Sequence, residues 1–276
     1  VGGLVGGQSG MVMAFLFALA MNGFVYWKSD SLALRANGAR ELGPDEQPRL
    51  RTIVGLLADR AGIPMPRLYL VERPEPNAFA TGRDPKHAAV AVTTGLMDQM
   101  DERQLIGVLA HELSHVKNRD TLVGTIAATI GGAVSFLAQM GQFQLIFGGG
   151  DDENGNPLMA LAAVILAPIA AMIIQLAVSR SREYLADTTG AALTGDPEGL
   201  AQALEQLAAG QQRSGVLGRF GRRAPQPAPQ GNPAFSHLWI VSPLSGTQMA
   251  TLFSTHPPLE DRIARLRSMR RAAPAA

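Results

Sequence analysis

Residues 111–115 read His-Glu-Leu-Ser-His. Residues four apart share one face of a helix, so His111 and His115 can turn both imidazoles toward one ion. Glu112 lies near the same edge, where a carboxylate can take a proton from a metal-activated water. The plain alternative for so short a motif is two surface histidines. The setting argues against it: a helix is expected over about 101–118, and Leu105, Val108 and Leu109 give it an apolar face.

Two histidines leave a catalytic zinc short, since such sites usually have three protein ligands and a water. The 276-residue chain has no cysteine, which excludes disulfides, thiolate sites and cysteine nucleophiles. The third ligand must therefore be His, Asp or Glu. An extended pattern with a further histidine six residues after His115 fails, because Thr121 stands there. Glu183, in Ser-Arg-Ser-Arg-Glu-Tyr-Leu-Ala-Asp (179–187), is the best candidate. Asp187, one turn on, could accept the N–H of a ligating imidazole and fix its tautomer. Taken alone, that acidic pair reads as an ordinary helix surface.

The elements around these residues change the balance. Three stretches are nearly free of charge: Leu4–Trp27, Thr121–Gly150 and Pro157–Val178. Each can supply the roughly 20 apolar residues that cross a bilayer as helix. A buried helix of a soluble protein is the competing reading, and glycines and Gln139, Gln142 and Gln144 dilute the second stretch. Tyr26, Trp27 and Lys28 make an interfacial edge. Lys28, Arg35, Arg40, Lys117, Arg119, Arg180 and Arg182 flank the spans, whereas the short 148–157 connection has no Lys or Arg. The positive-inside tendency then puts that connection outside and the charged parts in the cytoplasm. A first span running inward leads us to expect an earlier span ahead of Val1. The hairpin leaves the inner surface after His115 and returns before Glu183, which brings the three ligands to one depth.

The expected division is a span at 1–27, a peptidase part at 28–120, a hairpin at 121–178 and a second peptidase part at 179–276. A helix is expected over 44–62, then strands at 67–71, 77–81 and 88–93, with helices at 179–189, 196–209 and 259–271. Residues 210–233, rich in Gly, Arg, Pro and Gln, read as a surface loop. The arginines of the last helix suit a solvated face or anionic lipid heads. A net charge of +1 gives no pointer to nucleic acid.

His-Glu-Leu-Ser-His, a hairpin, then Arg-Glu-x-x-Ala-Asp resembles the HtpX heat-shock membrane proteases, bacterial relatives of the CAAX prenyl endopeptidases. Asn77-Ala78-Phe79-Ala80-Thr81-Gly82 upstream and Phe253-Ser254-Thr255-His256-Pro257-Pro258 with Arg262-Ile263 downstream extend the resemblance over most of the chain. It implies an α+β fold of gluzincin type, a peptidase domain with a small sheet combined with transmembrane helices. It implies one Zn2+ per chain and cleavage of internal peptide bonds in damaged membrane proteins. It also implies a multi-pass protein of the bacterial inner membrane with its active site toward the cytoplasm, and typically four spans. Asn77 then carries over as a binder of substrate backbone, on an edge strand with Ala78 and Phe79 where a peptide would pair main chain to main chain. His256 carries over as a stabiliser of the oxyanion, or else as a residue that shapes the turn before the proline pair. His87 and His237 match no ligand spacing, and Tyr184 reads as packing. A prenyl-protein endopeptidase and a catalytically silent membrane scaffold or chaperone are the rivals. Glu112 has no chemical purpose in the second, and a metal transporter would need ionisable residues inside its spans.

Overall fold

The computed structural model describes residues 2–147, 157–220 and 257–272. The helices are α1 (Gly2–Trp27), α2 (Ser29–Ala36), α3 (Pro48–Ala61), α4 (Thr94–Gln99), α5 (Glu102–Lys117), α6 (Asp120–Phe147), α7 (Pro157–Thr194), α8 (Pro197–Phe220) and α9 (Leu259–Ala272). The strands are β1 (Arg40–Glu41), β2 (Arg67–Val71), β3 (Ala78–Thr81) and β4 (Ala89–Thr93). They form one sheet in the order β1-β2-β4-β3. β2 and β4 are parallel, whereas β1 and β3 run antiparallel to their neighbours, so β3 is an edge.

The chain divides into two compact units. One comprises Val1–Trp27 and Leu122–Ser179, and in it the rings of Phe15 on α1 and Phe136 on α6 stack at 4.6 Å. Among the described residues, Gly7–Trp27 and Asp120–Met140 are long and apolar enough to cross a membrane. Only 6% and 11% of their most apolar windows are buried, which sets them apart from core helices of a soluble protein.

The other unit, Lys28–Thr121 with Arg180–Ala276, holds the sheet. Side chains alternate across a strand, and here both faces are covered. Leu68, Leu70, Val90 and Val92 join α3, α5, α8 and α9 in the main core. Tyr69, Val71, Phe79, Ala89 and Ala91 face the other way and pack with Ala33 and Leu34 of α2. Two covered faces explain why these strands read as apolar runs without polar alternation.

Helix ends follow local chemistry. Asp101 and Gln104 form a capping box at the start of α5. Pro48 occupies the first turn of α3, four residues later than the start expected at Pro44, and Gly62 closes it in the left-handed conformation. The expected loop from 210 is corrected in its first part: α8 continues to Phe220. The Gln, Arg and Leu residues after Gly210 are good helix formers and carry the helix past Gly210, Gly215 and Gly218. The remainder of that expected loop lies outside the described residues.

Candidate metal centre

The middle of α5 carries His111, Glu112 and His115, and α7 carries Glu183 and Asp187. Two close approaches place α5 for this. A Cβ at Gly107 would lie 2.6 Å from the Leu200 nitrogen, and one at Gly190 would lie 3.1 Å from the His111 nitrogen. At Gly107 only glycine lets α8 come this near the α5 backbone; at Gly190, one turn beyond Asp187, a Cβ would press on α5 and force a shift of a few tenths of an ångström.

His111, His115 and Glu183 turn one ligand atom each toward a common point, all within 4.8 Å of one another. The two histidine Nε2 atoms are 3.2 Å apart. Glu183 Oε2 is 3.6 Å from His111 Nε2, and Oε1 is 3.7 Å from His115 Nε2. A tetrahedral ion at about 2.0–2.1 Å from its ligands spaces them roughly 3.3 Å apart. The two Glu183 distances run to different carboxylate oxygens, and with one atom from each residue the donors lie within 4.8 Å of one another, close enough for small side-chain shifts to bring them onto a zinc-sized ion.

The surroundings are buried and charged. Asp187 Oδ1 lies 3.0 Å from His111 Nδ1, as expected of a carboxylate that fixes the tautomer. Burial and the Arg262 guanidinium oppose a proton on His111, yet Asp187 and Glu183 outweigh them and hold its pKa up at about 9. A pocket that attracts a proton so strongly also favours a divalent cation. Burial opposes charge on Asp187 too, but Arg262 and then His111 prevail and hold it down to about 2. Burial pushes the Glu112 carboxyl above the usual range, against the pull of His111 and His115.

Glu112 is anchored to the sheet edge. The Ala80 N–H donates to its Oε2 at 2.8 Å. Asn77 is tied inward instead: its N–H donates to Thr93 Oγ1 at 2.8 Å, and its carbonyl accepts from the Thr93 N–H at 2.9 Å. Antiparallel pairs alternate, so Ala78 and Ala80 turn their backbone groups to the open edge. Asn77 is buried. The Phe79 side chain is buried in the second core and away from the metal centre, so this position offers a peptide no side-chain contact. His256 and His237 lie outside the described residues. His87 pairs with Asp84 at 2.8 Å in a single 3-10 turn, and Tyr184 stacks under Arg265 at 5.0 Å; neither joins the centre.

Two residues at the centre were not singled out for any role from the sequence. Arg262, on the helix read as a solvated basic face, is fully buried. Its Nε and Nη2 donate to Asp187 at 2.8 and 2.7 Å, and its Nη1 is 3.3 Å from Glu183 Oε2. Its Nη2 also lies 3.4 and 3.3 Å from the two ring nitrogens of His111. The solvated-face reading is thereby corrected for this residue: carboxylates 75 residues and more away in the chain draw it inward. The other is Asp120, whose Oδ2 lies 2.5 Å from His115 Nδ1. Its position five residues after a ligand histidine gave no signal, because an unbroken helix would point it elsewhere.

Comparison with known proteins agrees with this geometry. Residues 44–270 match the model of peptidase family M48. The chain is 53% identical over 271 residues to a "Protease HtpX homolog" of Desulforapulum autotrophicum, covering 97% of this chain and 84% of the relative. It is 52% identical over 272 residues to one of Persephonella marina, covering 98% and 91%. The crystal structure of S. mikatae Ste24p shares the fold, with a TM-score of 0.58 at 17% identity, over 93% of this chain and 58% of that one. A family match over most of the chain, together with relatives about half identical and covered over 84% and 91% of their length, makes this protein a metallopeptidase of peptidase family M48.

Proposed function

We propose that the chain is a zinc-dependent membrane endopeptidase that cleaves misfolded or damaged membrane proteins. We place it in a bacterial inner membrane with the site toward the cytoplasm. One observation carries the chemistry: His111, His115 and Glu183 bring one donor atom each within 4.8 Å of one another beside Glu112, which an edge strand holds. The relatives named as proteases support the reading, and the distribution of Lys and Arg around the apolar stretches supports the orientation.

Zinc, when bound, supplies a Lewis acid that polarises the scissile carbonyl and makes hydroxide available near neutral pH. The open backbone of β3, at Ala78 and at the Ala80 carbonyl, pairs with an extended peptide and reads its main chain, so sequence preference is broad. Asn77, at the start of the edge, fixes the register of that strand. Glu112 takes a proton from the attacking water and returns it to the leaving amine, a task suited to a carboxyl whose proton affinity burial has raised. Asp187 holds His111 with Nε2 toward the metal. By the family resemblance His256 stabilises the oxyanion, or else it shapes the turn before the proline pair.

The test is cleavage of casein by the detergent-purified chain with zinc, beside Glu112→Gln. The native chain is expected to cut. The variant should lose about 100-fold or more of that rate while still binding one zinc. Equal cleavage by the two would remove Glu112 from the mechanism, and failure of the native chain to bind zinc would remove the ligand set.

A further inference from the structure

His111 and His115 are both held at Nδ1 by a carboxylate, but by different means. Asp187 reaches His111 from another helix. Asp120 reaches His115 from its own segment, which regular helix does not allow: five residues on, the direction has turned by about 140° away from His115. The structure shows how the chain gets there. α5 stops at Lys117, Asn118 caps it, and Arg119 takes a left-handed conformation with φ of 56°. Among the described residues, only Arg119 and Gln47 do so without being glycine. The reversal brings the buried Asp120 back against the ring, with Oδ2 2.5 Å from Nδ1. From α7, Arg182, the residue before Glu183, donates Nη1 to the Asp120 carbonyl at 2.7 Å. Asp120 is thus fixed both by the turn and by the neighbour of the third ligand.

We propose that Asp120 is a positioning residue for His115, placed by the left-handed turn at Arg119, and that it sets the affinity of the metal centre. The proposal rests on the zinc reading above. An Nδ1–H donated to Asp120 leaves the Nε2 lone pair facing His111 and Glu183, and the negative carboxylate makes that nitrogen a stronger donor. The left-handed backbone is unfavourable for arginine, and here it is what brings Asp120 to His115.

The experiment is competition for zinc between the full chain in detergent and a chromogenic chelator, with the visible spectrum of the cobalt-loaded protein as a second readout. Asp120→Ala should weaken zinc binding about 10–100-fold and shift the cobalt bands. Asp120→Asn, which keeps an acceptor, should lie between that variant and the native chain. The turn is tested with Asp120 intact. Arg119→Gly accepts a positive φ freely and should bind zinc as the native chain does. Arg119→Val, β-branched at a positive φ, should lose several-fold. If Asp120→Ala fails to fold, Asp120→Asn and the Arg119 pair decide the matter. Native zinc affinity and an unchanged cobalt spectrum in Asp120→Ala, or in both Asp120→Asn and Arg119→Val, would overturn the proposal while leaving the zinc reading in place. A native chain that binds no zinc would overturn both.

Discussion

Arg262 carries its charge where water does not reach it, and this makes it the most sensitive residue of the centre outside the ligands. Removing one partner of a buried ion pair leaves the other charge uncompensated, which costs about 3–5 kcal/mol. Arg262→Met should therefore lower stability by that amount in thermal unfolding of the metal-free protein. The double variant with Asp187→Asn should be clearly less damaged than the sum of the singles, because the charges leave together. A loss below about 1 kcal/mol in Arg262→Met would mean that the guanidinium does not compensate Asp187. The sign with pH follows from the depressed Asp187. Its contribution is present above the unfolded carboxylate value of about 3.9 and is lost as pH falls through about 2. Without Arg262 only His111 is left to oppose burial at Asp187, so its pKa should rise and the dependence due to this group should weaken. At this scale the sequence was legible wherever spacing or elimination applied. His111, Glu112 and His115 are a spaced motif, and Glu183 stands out among the remaining acids because the expected hairpin returns it to the depth of that motif. Arg262 was not legible as a buried group, since arginine is almost never fully buried unless paired and its partner lies 75 residues away. Asp120 was not legible because nothing in Asn118-Arg119 announces a left-handed turn, for which glycine is the usual signal.

The elements hold the centre through the closeness of their backbones, and glycine is where that can be tested. A Cβ at Gly107 would meet the Leu200 nitrogen at 2.6 Å and its Cα at 2.8 Å, atoms that cannot swing aside. Gly107→Ala should push α8 from α5 and cost about 1–3 kcal/mol, the range for an overpacked core. Gly55, inside α3, is the control: its Cβ would meet only Met65 Sδ at 4.0 Å. Gly55→Ala should raise stability by about 0.5–1 kcal/mol, since alanine favours a helix interior where there is room. Both are read from unfolding midpoints, and equal effects would mean that the close approach of α5 and α8 has no energetic weight. The longer elements were legible in sequence for related reasons. The strand expected over 67–71 matches β2, and the helix over 101–118 ends at its own caps, Asp101 and Asn118. The short pieces were not. α2 is an eight-residue helix whose buried residues are Ala33 and Leu34, too few for a periodic signal, although it covers one face of the sheet. β1 is two residues long, and pairing with β2 defines it where its own side chains do not.

For the whole molecule, exposed apolar side chains distinguish the solvents that its two units meet. Phe17 on α1 is 67% exposed and Leu56 on α3 is 58% exposed. By exposure alone the two are alike. Their settings differ: Gly7–Trp27 has 21 residues with hardly any burial and mean hydropathy 1.6, about 31 Å of helix against a hydrocarbon core of about 30 Å. Leu56 is a lone apolar residue on the outer side of an amphipathic helix, which is ordinary for a surface in water. If α1 lies in lipid, Phe17→Arg places a charge near the middle of a span, at a cost of about 2.5–3.5 kcal/mol for insertion. Leu56→Arg should stay within about 0.5 kcal/mol of the native chain. The native chain should remain in the membrane pellet after alkaline carbonate and leave it only with detergent. A reporter carrying residues 2–40 should be retained in the pellet through α1, and Phe17→Arg should release most of it. In the full chain, α6 and α7 should keep the same variant bound. Leu56→Arg should alter neither retention nor unfolding. Release of the native chain by carbonate would sink the membrane assignment, and with it the proposal that membrane proteins are the substrates. It would leave the metal centre untouched, since every residue of that centre lies in the other unit.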